Sequence, residues 1–379
     1  MKAVASEVAK NLVLAGVGSL TIVDHEVVTE DDLGAQYFVS EEHIGQNRAH
    51  AALTQLQKLN PRVNLVADQD MIVSKAPEFF ASFEITIATN LEINILSTIN
   101  ASCRISNRKF YAAATHGLYG YVFADLILHD FVIERAESNK ATEIGRAENS
   151  TRMVLASSTK TENGKNIEMV TKRETYSPII LANTSPLPAD ITGNRRRRLQ
   201  VTPLISCFRA LFDFQTRSGG RLPALTRPDL ELFTSLATVN HQELLLPAET
   251  LRSDILRSFL QNLGSEIAPV AAFLGGSLAQ DVINVLGQRE QPLQNFMFFD
   301  GDDFKGPIYS LHPFFPDTLT MPNSNLALNG TTVADPTGVA MGMGGMDTAM
   351  SMDMGVGMAA GGGLVMLDNG FDFMPPADG

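Results

Sequence analysis

An acid closing a buried strand, two thiols and a pair of histidines are the side chains in this sequence equipped to act on a ligand. Asp24 follows the apolar run Leu20-Thr-Ile-Val23. In a doubly wound fold, an acid roughly twenty residues past a glycine-rich turn holds a ribose hydroxyl. The turn itself is not visible. Met1-Lys-Ala-Val-Ala-Ser6 stands where it would lie, with Ala3 and Ala5 in the glycine places, and an alanine Cβ hinders close approach of backbone to a phosphate. A helix-capping or loop-ordering role suits Asp24 as well. Cys103 and Cys207 sit in apolar surroundings without neighbouring cations to lower a thiol pKa, so both read as core residues rather than nucleophiles. His116 and His129 flank the aromatic stretch 117–125, which reads as a turn, at a spacing that fits neither a metal site nor a triad. Arg195-Arg-Arg-Arg198 is either a nuclear-import signal or a solvated loop.

The elements that must position these groups follow from periodicity. Val4, Val8, Leu12 and Ala15 form one apolar helical face opposite Glu7 and Lys10, and the run ending at Asp24 is a buried parallel strand. Helix-like 46–59, strand-like 63–67, strand-like 85–88, helix-like 91–104 and strand-like 109–113 then alternate in the βαβ manner. This predicts an α/β, doubly wound, mostly parallel sheet. A strand should precede the first helix, and none is visible there. An unfilled central edge would leave backbone groups unpaired, so the expectation is a mispredicted start or a defective product. The organisation is then a first α/β part over 1–136, a polar linker or insertion over 137–200, a helical insertion over 201–263 and a closing α/β part over 264–313. Helical spacing marks 201–214 and 243–263 within the insertion. Residues 314–379, rich in Gly and Met, are predicted to be disordered.

Composition excludes several classes. The chain has 379 residues, 44% of them hydrophobic, and a net charge of −13, which argues against nucleic-acid binding. Two cysteines make no disulfide framework and no CxxC metal site, and no run is read as long and apolar enough to span a bilayer.

One stretch is more specific. Ala268-Pro-Val-Ala-Ala-Phe-Leu-Gly-Gly-Ser-Leu-Ala-Gln-Asp281, then Pro292 and Phe296-Met-Phe-Phe-Asp300, read as a turn, a helix with paired glycines at its start, and a buried strand ending in an acid. This combination resembles the adenylation domains of enzymes that activate ubiquitin-like proteins, a ThiF/MoeB-like fold. With residues 1–16, Thr21 to Thr29, Leu33-Gly-Ala-Gln-Tyr37 and Ile44-Gly-Gln-Asn-Arg-Ala49, the chain is similar to the family of small subunits of SUMO-activating enzymes. The likeness covers 1 to about 135 and 201 to about 313. On that resemblance, Gln36, Gly45, Arg48, Pro269, Gly275, Gly276, Gln280, Asp281 and Asp300 carry family motifs or the pairing face, and Asp24 is a vestigial nucleotide ligand.

Catalytic members of the superfamily carry Asn-Leu-Asn-Arg-Gln-Phe after the ribose acid, where this chain has Gly34 at an asparagine and Ala35 at the arginine. They also carry a magnesium-binding Asp where this chain has Asn90. Alanine offers a phosphate no charge, and an amide is a poorer Mg²⁺ ligand than a carboxylate. The resemblance therefore implies a non-catalytic subunit that holds no cofactor itself. ATP and Mg²⁺ would sit in a large catalytic partner that activates SUMO, in the nucleus and cytoplasm. It also implies an arginine-bearing N-terminal helix, which this sequence does not show. The alternatives are a small subunit serving another ubiquitin-like modifier, a self-sufficient sulfur-carrier adenylyltransferase, and a nicotinamide oxidoreductase. The sulfur-carrier enzyme would need the missing arginine and aspartate, and the oxidoreductase rests on the fold pattern alone.

Overall fold

Apolar runs too short for helices are gathered into one eight-stranded sheet in the computed structural model, which describes residues 1–162, 164–313 and 363–368. Helix α1 (Ala3–Ala15) ends at Gly16, whose φ of 80° suits glycine, and leads into β1 (Ser19–Val23). Then come α2 (Arg48–Leu59), β2 (Asn64–Asp68), α3 (Pro77–Ala81), β3 (Phe83–Thr89), α4 (Ile93–Ile105), β4 (Lys109–His116) and β5 (Tyr119–Asp125). The stretch expected to be an aromatic turn is therefore mostly strand. Its apolar residues are buried against β4 over the full antiparallel register from Phe110 with Asp125 to His116 with Tyr119.

The polar region 137–200, expected as a linker or insertion, contains two long strands that join the strand just before it in one sheet. β6 (Leu128–Ala136), β7 (Arg152–Glu162) and β8 (Lys165–Thr175) make a separate antiparallel sheet in the order β6-β8-β7. Its inner face needs only a few apolar groups, among them Phe131, Val154 and Val170. The rest is held by backbone ladders and cross-strand pairs such as Arg173 with Asp130 (2.6 Å) and Arg135 with Glu168 (2.9 Å). Short helices α5 (Ile179–Thr184), α6 (Ala189–Thr192) and α7 (Arg195–Arg198) follow.

The helical unit comprises α8 (Leu204–Arg217), α9 (Arg227–Glu243) and α10 (Ser253–Asn262). Helix α9 lies, except for its last residue, outside the two stretches expected to be helical, and 244–252 holds only a short turn of 3₁₀ helix. Helix α11 (Ala268–Leu286), β9 (Phe296–Asp300) and β10 (Ile308–Tyr309) close the domain. The paired glycines lie two turns inside α11 rather than at its start. By length and composition α11 is apolar enough to cross a bilayer, contrary to the sequence expectation. Its Leu274, Leu278, Val282 and Val285 are instead buried in the protein core.

The last described element changes the picture of the tail. Strand β11 (Gly363–Asp368) lies within the segment expected to be disordered, and the remainder of 314–379 falls outside the described residues. The sheet order is β10-β9-β5-β4-β3-β11-β1-β2. β11 therefore occupies the central position between β1 and β3. It pairs in parallel with both neighbours, Leu20 with Leu364 to Val23 with Leu367 on one side, and Leu364 with Ile85 to Asp368 with Thr89 on the other. Composition concealed it, because four apolar residues in a Gly- and Met-rich context give no period of their own.

Helices α1, α2 and α11 cover one face of the sheet, and α4, α8, α9 and α10 cover the other. A Cβ on Gly275 would lie 2.5 Å from the Glu7 Cβ and 3.1 Å from the Val4 carbonyl oxygen, so the glycine sets how closely α1 and α11 approach. A Cβ on Gly276 would meet nothing within 4 Å. We expect Gly275→Val to lower unfolding free energy by about 1–3 kcal/mol through overpacking. Gly276→Ala should raise it by up to about 1 kcal/mol through helix propensity. Urea unfolding of both variants reads the opposite signs.

Candidate functional site

Parallel strands deliver their carboxyl ends, and whatever follows them, to one edge of the sheet, where ligands of doubly wound folds bind. Asp24 follows β1 at that edge. Its carboxylate accepts from Arg48 Nε at 2.9 Å and Nη2 at 3.2 Å, from the Glu26 amide at 2.9 Å and from the Met1 amino nitrogen. Burial pushes this carboxyl up, but the Met1 nitrogen and the Arg48 guanidinium outweigh it and hold its pKa below the usual value.

Arg48 opens α2, and its Nη1 lies 3.6 Å from Asp32 Oδ1. The other Asp32 oxygen accepts from the Thr29 amide (2.8 Å) and hydroxyl (3.0 Å). Gln36 follows on the same loop, its Oε1 accepting from the Phe38 amide at 2.6 Å. Asn47 caps α2 at the His50 amide and donates to the Asp24 carbonyl at 2.6 Å. Gly45, at φ 82°, lets its amide donate to the Val28 carbonyl at 2.9 Å. Asp24, Gln36, Gly45 and Arg48 thus come together, as a network that folds the loop onto the sheet edge.

The other edge positions do not fit magnesium nucleotide. Asn90 follows β3 at φ 53°, and its Oδ1 accepts from the Thr115 amide at 3.2 Å, leaving a buried NH₂ donor rather than a carboxylate. Ala35 packs against the core. At the start of α1, where orphan amides favour an anion, the Ala3 amide donates to Glu266 Oε1 at 3.1 Å. A carboxylate of this chain thus accepts from one of those amides. Among the described residues no three His, Cys, Asp or Glu side chains gather as a metal site. Sequence reasoning missed Glu266 and Asn47, because Glu266 acts across the fold and Asn47 has the sequence setting of an ordinary helix cap.

The remaining candidates lie apart from this network. Pro269 occupies the first turn of α11 and is exposed, as is Gln280, which donates to Asn284 at 3.0 Å. Asp281 accepts from the Tyr111 hydroxyl at 2.6 Å and the Leu293 amide at 2.9 Å. Asp300 receives the Asp302 amide at 3.0 Å and orders the turn after β9. Burial pushes the Cys103 thiol up to about 11 and the Cys207 thiol up to about 12, so neither is a thiolate at neutral pH. His116 and His129 stand on β4 and β6, on either side of β5 in sequence, and burial first of all pulls both down to about 4.

A mostly parallel α/β sheet with this motif set defines a protein of the adenylation-fold class. Residues 1–317 match the ThiF family, and the chain belongs to it. Among its relatives, the Saccharomyces cerevisiae DNA damage tolerance protein RHC31 is 34% identical over 310 residues, 81% of this chain and 87% of that protein. SUMO-activating enzyme subunit 1 of Rattus norvegicus is 33% identical over 318 residues, 83% of this chain and 86% of its own. The Homo sapiens protein of that name is 32% identical over 317 residues, 83% of this chain and 87% of its own.

Two outcomes follow. Arg48→Ala leaves a buried carboxylate short of its guanidinium and should lower stability by about 3–5 kcal/mol, whereas Asp24→Asn with Arg48→Met should recover part of that loss. Denaturant unfolding of the single and double variants measures both. Burial raises the Asp281 carboxyl from 3.8 to about 6. Its contribution to stability is therefore full below the unfolded value and lost as pH rises through about 6. His116, His129 and His312, each lowered to about 4 with burial the leading cause, act in the opposite sense over that window. The readout is thus the difference between Asp281→Asn and wild type, which should shift in favour of the variant from pH 4 to pH 7.

Proposed function

We propose that this chain is the non-catalytic small subunit of a heterodimeric SUMO-activating enzyme. The observation that carries the proposal is the nucleotide edge itself. Asn90 offers an amide in place of a metal-binding acid, Ala35 offers no charge, and Glu266 occupies the start of α1. Relatives bearing the name SUMO-activating enzyme subunit 1 support it independently.

In this reading the catalytic partner binds ATP and Mg²⁺. There the C-terminal carboxylate of SUMO attacks the α-phosphate, pyrophosphate leaves, and a partner thiolate then displaces AMP to form the thioester. Positioning and charge stabilisation of that kind need cations and a metal, and among the described residues no His, Cys, Asp or Glu cluster gathers to hold one. Its own contribution is a rigid second adenylation-type domain that completes the partner's fold, with α11 offering exposed Pro269 and Gln280 at the pairing face. The same reading puts the protein in the nucleus and cytoplasm, with the exposed residues Arg195 to Arg197 in the basic import segment.

Co-purification with a catalytic SUMO-activating subunit, followed by ATP–pyrophosphate exchange and thioester assays, tests this. We expect the chain alone to show no exchange above background and the pair to charge SUMO at least about 100-fold above either chain alone, a difference of about 2.7 kcal/mol in barrier. Exchange catalysed by the chain alone would sink the proposal. Charging of a different ubiquitin-like modifier in place of SUMO would reassign it to that modifier's enzyme.

A further inference from the structure

The middle of the sheet holds a strand that arrives from the far end of the chain. Between β1 and β3 lies a slot whose two backbone edges are both paired by residues 363–368. No neighbour in sequence puts them there, since residues 314–362 intervene.

The slot is chemically selective. Val365 and Leu367 point to the core cluster that contains Leu96 and Phe110, while Leu364 and Met366 point to the cluster beneath α1. All four side chains are at most 2% exposed. Thr89 Oγ1 donates to the Leu367 carbonyl at 3.0 Å, on the β3 side. At the strand's entry a Cβ on Gly363 would lie 3.2 Å from both the Phe83 ring and Ser19 Oγ, so the first position takes glycine or something little larger. The slot thus accepts a parallel strand opened by a small residue and followed by four residues apolar on both faces.

We propose that this slot is a strand-binding site, filled in cis by residues 363–368 and able to accept a free peptide of that sequence in trans. Main-chain ladders on two sides supply the affinity, and the two sets of alternate side chains supply the selectivity. Covalent connection favours the cis form over a free peptide, because the cost of loop closure grows only with the logarithm of loop length and binding within one chain does not depend on peptide concentration. Filling the slot also removes the hazard of an open central edge.

The first test is hydrogen exchange on the full chain. The 364–367 amides should be slowed by at least about 1,000-fold against a free peptide, to the level of the β1 and β3 amides. Exchange at the free-peptide rate while β1 and β3 stay protected would overturn the proposal, and this measurement does not depend on any variant folding. The second test is Val365→Pro in the full chain, which removes one amide from the ladder and distorts the strand. We expect at least a tenfold loss of protection in β1 and β3. It should be restored by a synthetic peptide of residues 361–370 and not by a scrambled one. Unchanged protection in the variant, or no rescue by the peptide, would count against the site. Protection of 364–367 that appears only as the protein dimerises would assign the strand to a second copy and overturn the cis form.

Discussion

A parallel sheet tolerates no gap in its interior. Backbone amides and carbonyls buried between helical layers must find partners or forfeit a large part of a domain's modest net stability. Every other feature of this chain presupposes that the edges of β1 and β3 are satisfied. The Asp24 loop hangs from β1, Asn90 follows β3, and α1 with α11 covers the face above. The strand between them is what makes the two halves one sheet.

Upon that frame the nucleotide edge has been remade from within. A buried guanidinium meets the Asp24 carboxylate, the Glu266 carboxylate meets the start of α1, and an amide of Asn90 ties β3 to β4. Each is a strong local interaction that uses polar capacity a ligand would otherwise satisfy. The result is a sheet edge whose polar groups are largely satisfied by other groups of the same chain.

Much of this was legible in the residues. Period-3.6 runs located α1, α2 and α4, and short β-branched runs located β1 and β3, because each of those elements buries a face that its own sequence must encode. The Gly-Gly helix and the Phe-rich strand after it were visible for the same reason, although α11 begins two turns before Gly275. β7 and β8 escaped notice because their burial rests on isolated residues such as Val154 and Val170 amid charged ladders. Asp24 was recognisable from its place after a strand, but Glu266 was not, since its role depends on contact with Ala3 across the whole fold. β11 was the least legible. A four-residue apolar run has no signature that separates a central strand from a tail, and the missing strand before α1 reads as a mispredicted start or a defective product rather than as a place for a C-terminal strand.

The distance in sequence between Val23 and its neighbour Leu367 also has a bearing on synthesis. A ribosome adding roughly 5–20 residues per second needs on the order of tens of seconds to pass from one to the other. Throughout that time the nascent chain carries β1 and β3 without the strand that belongs between them. Final closure of the domain is a late event, governed by when the C-terminal segment emerges rather than by how fast the earlier elements form.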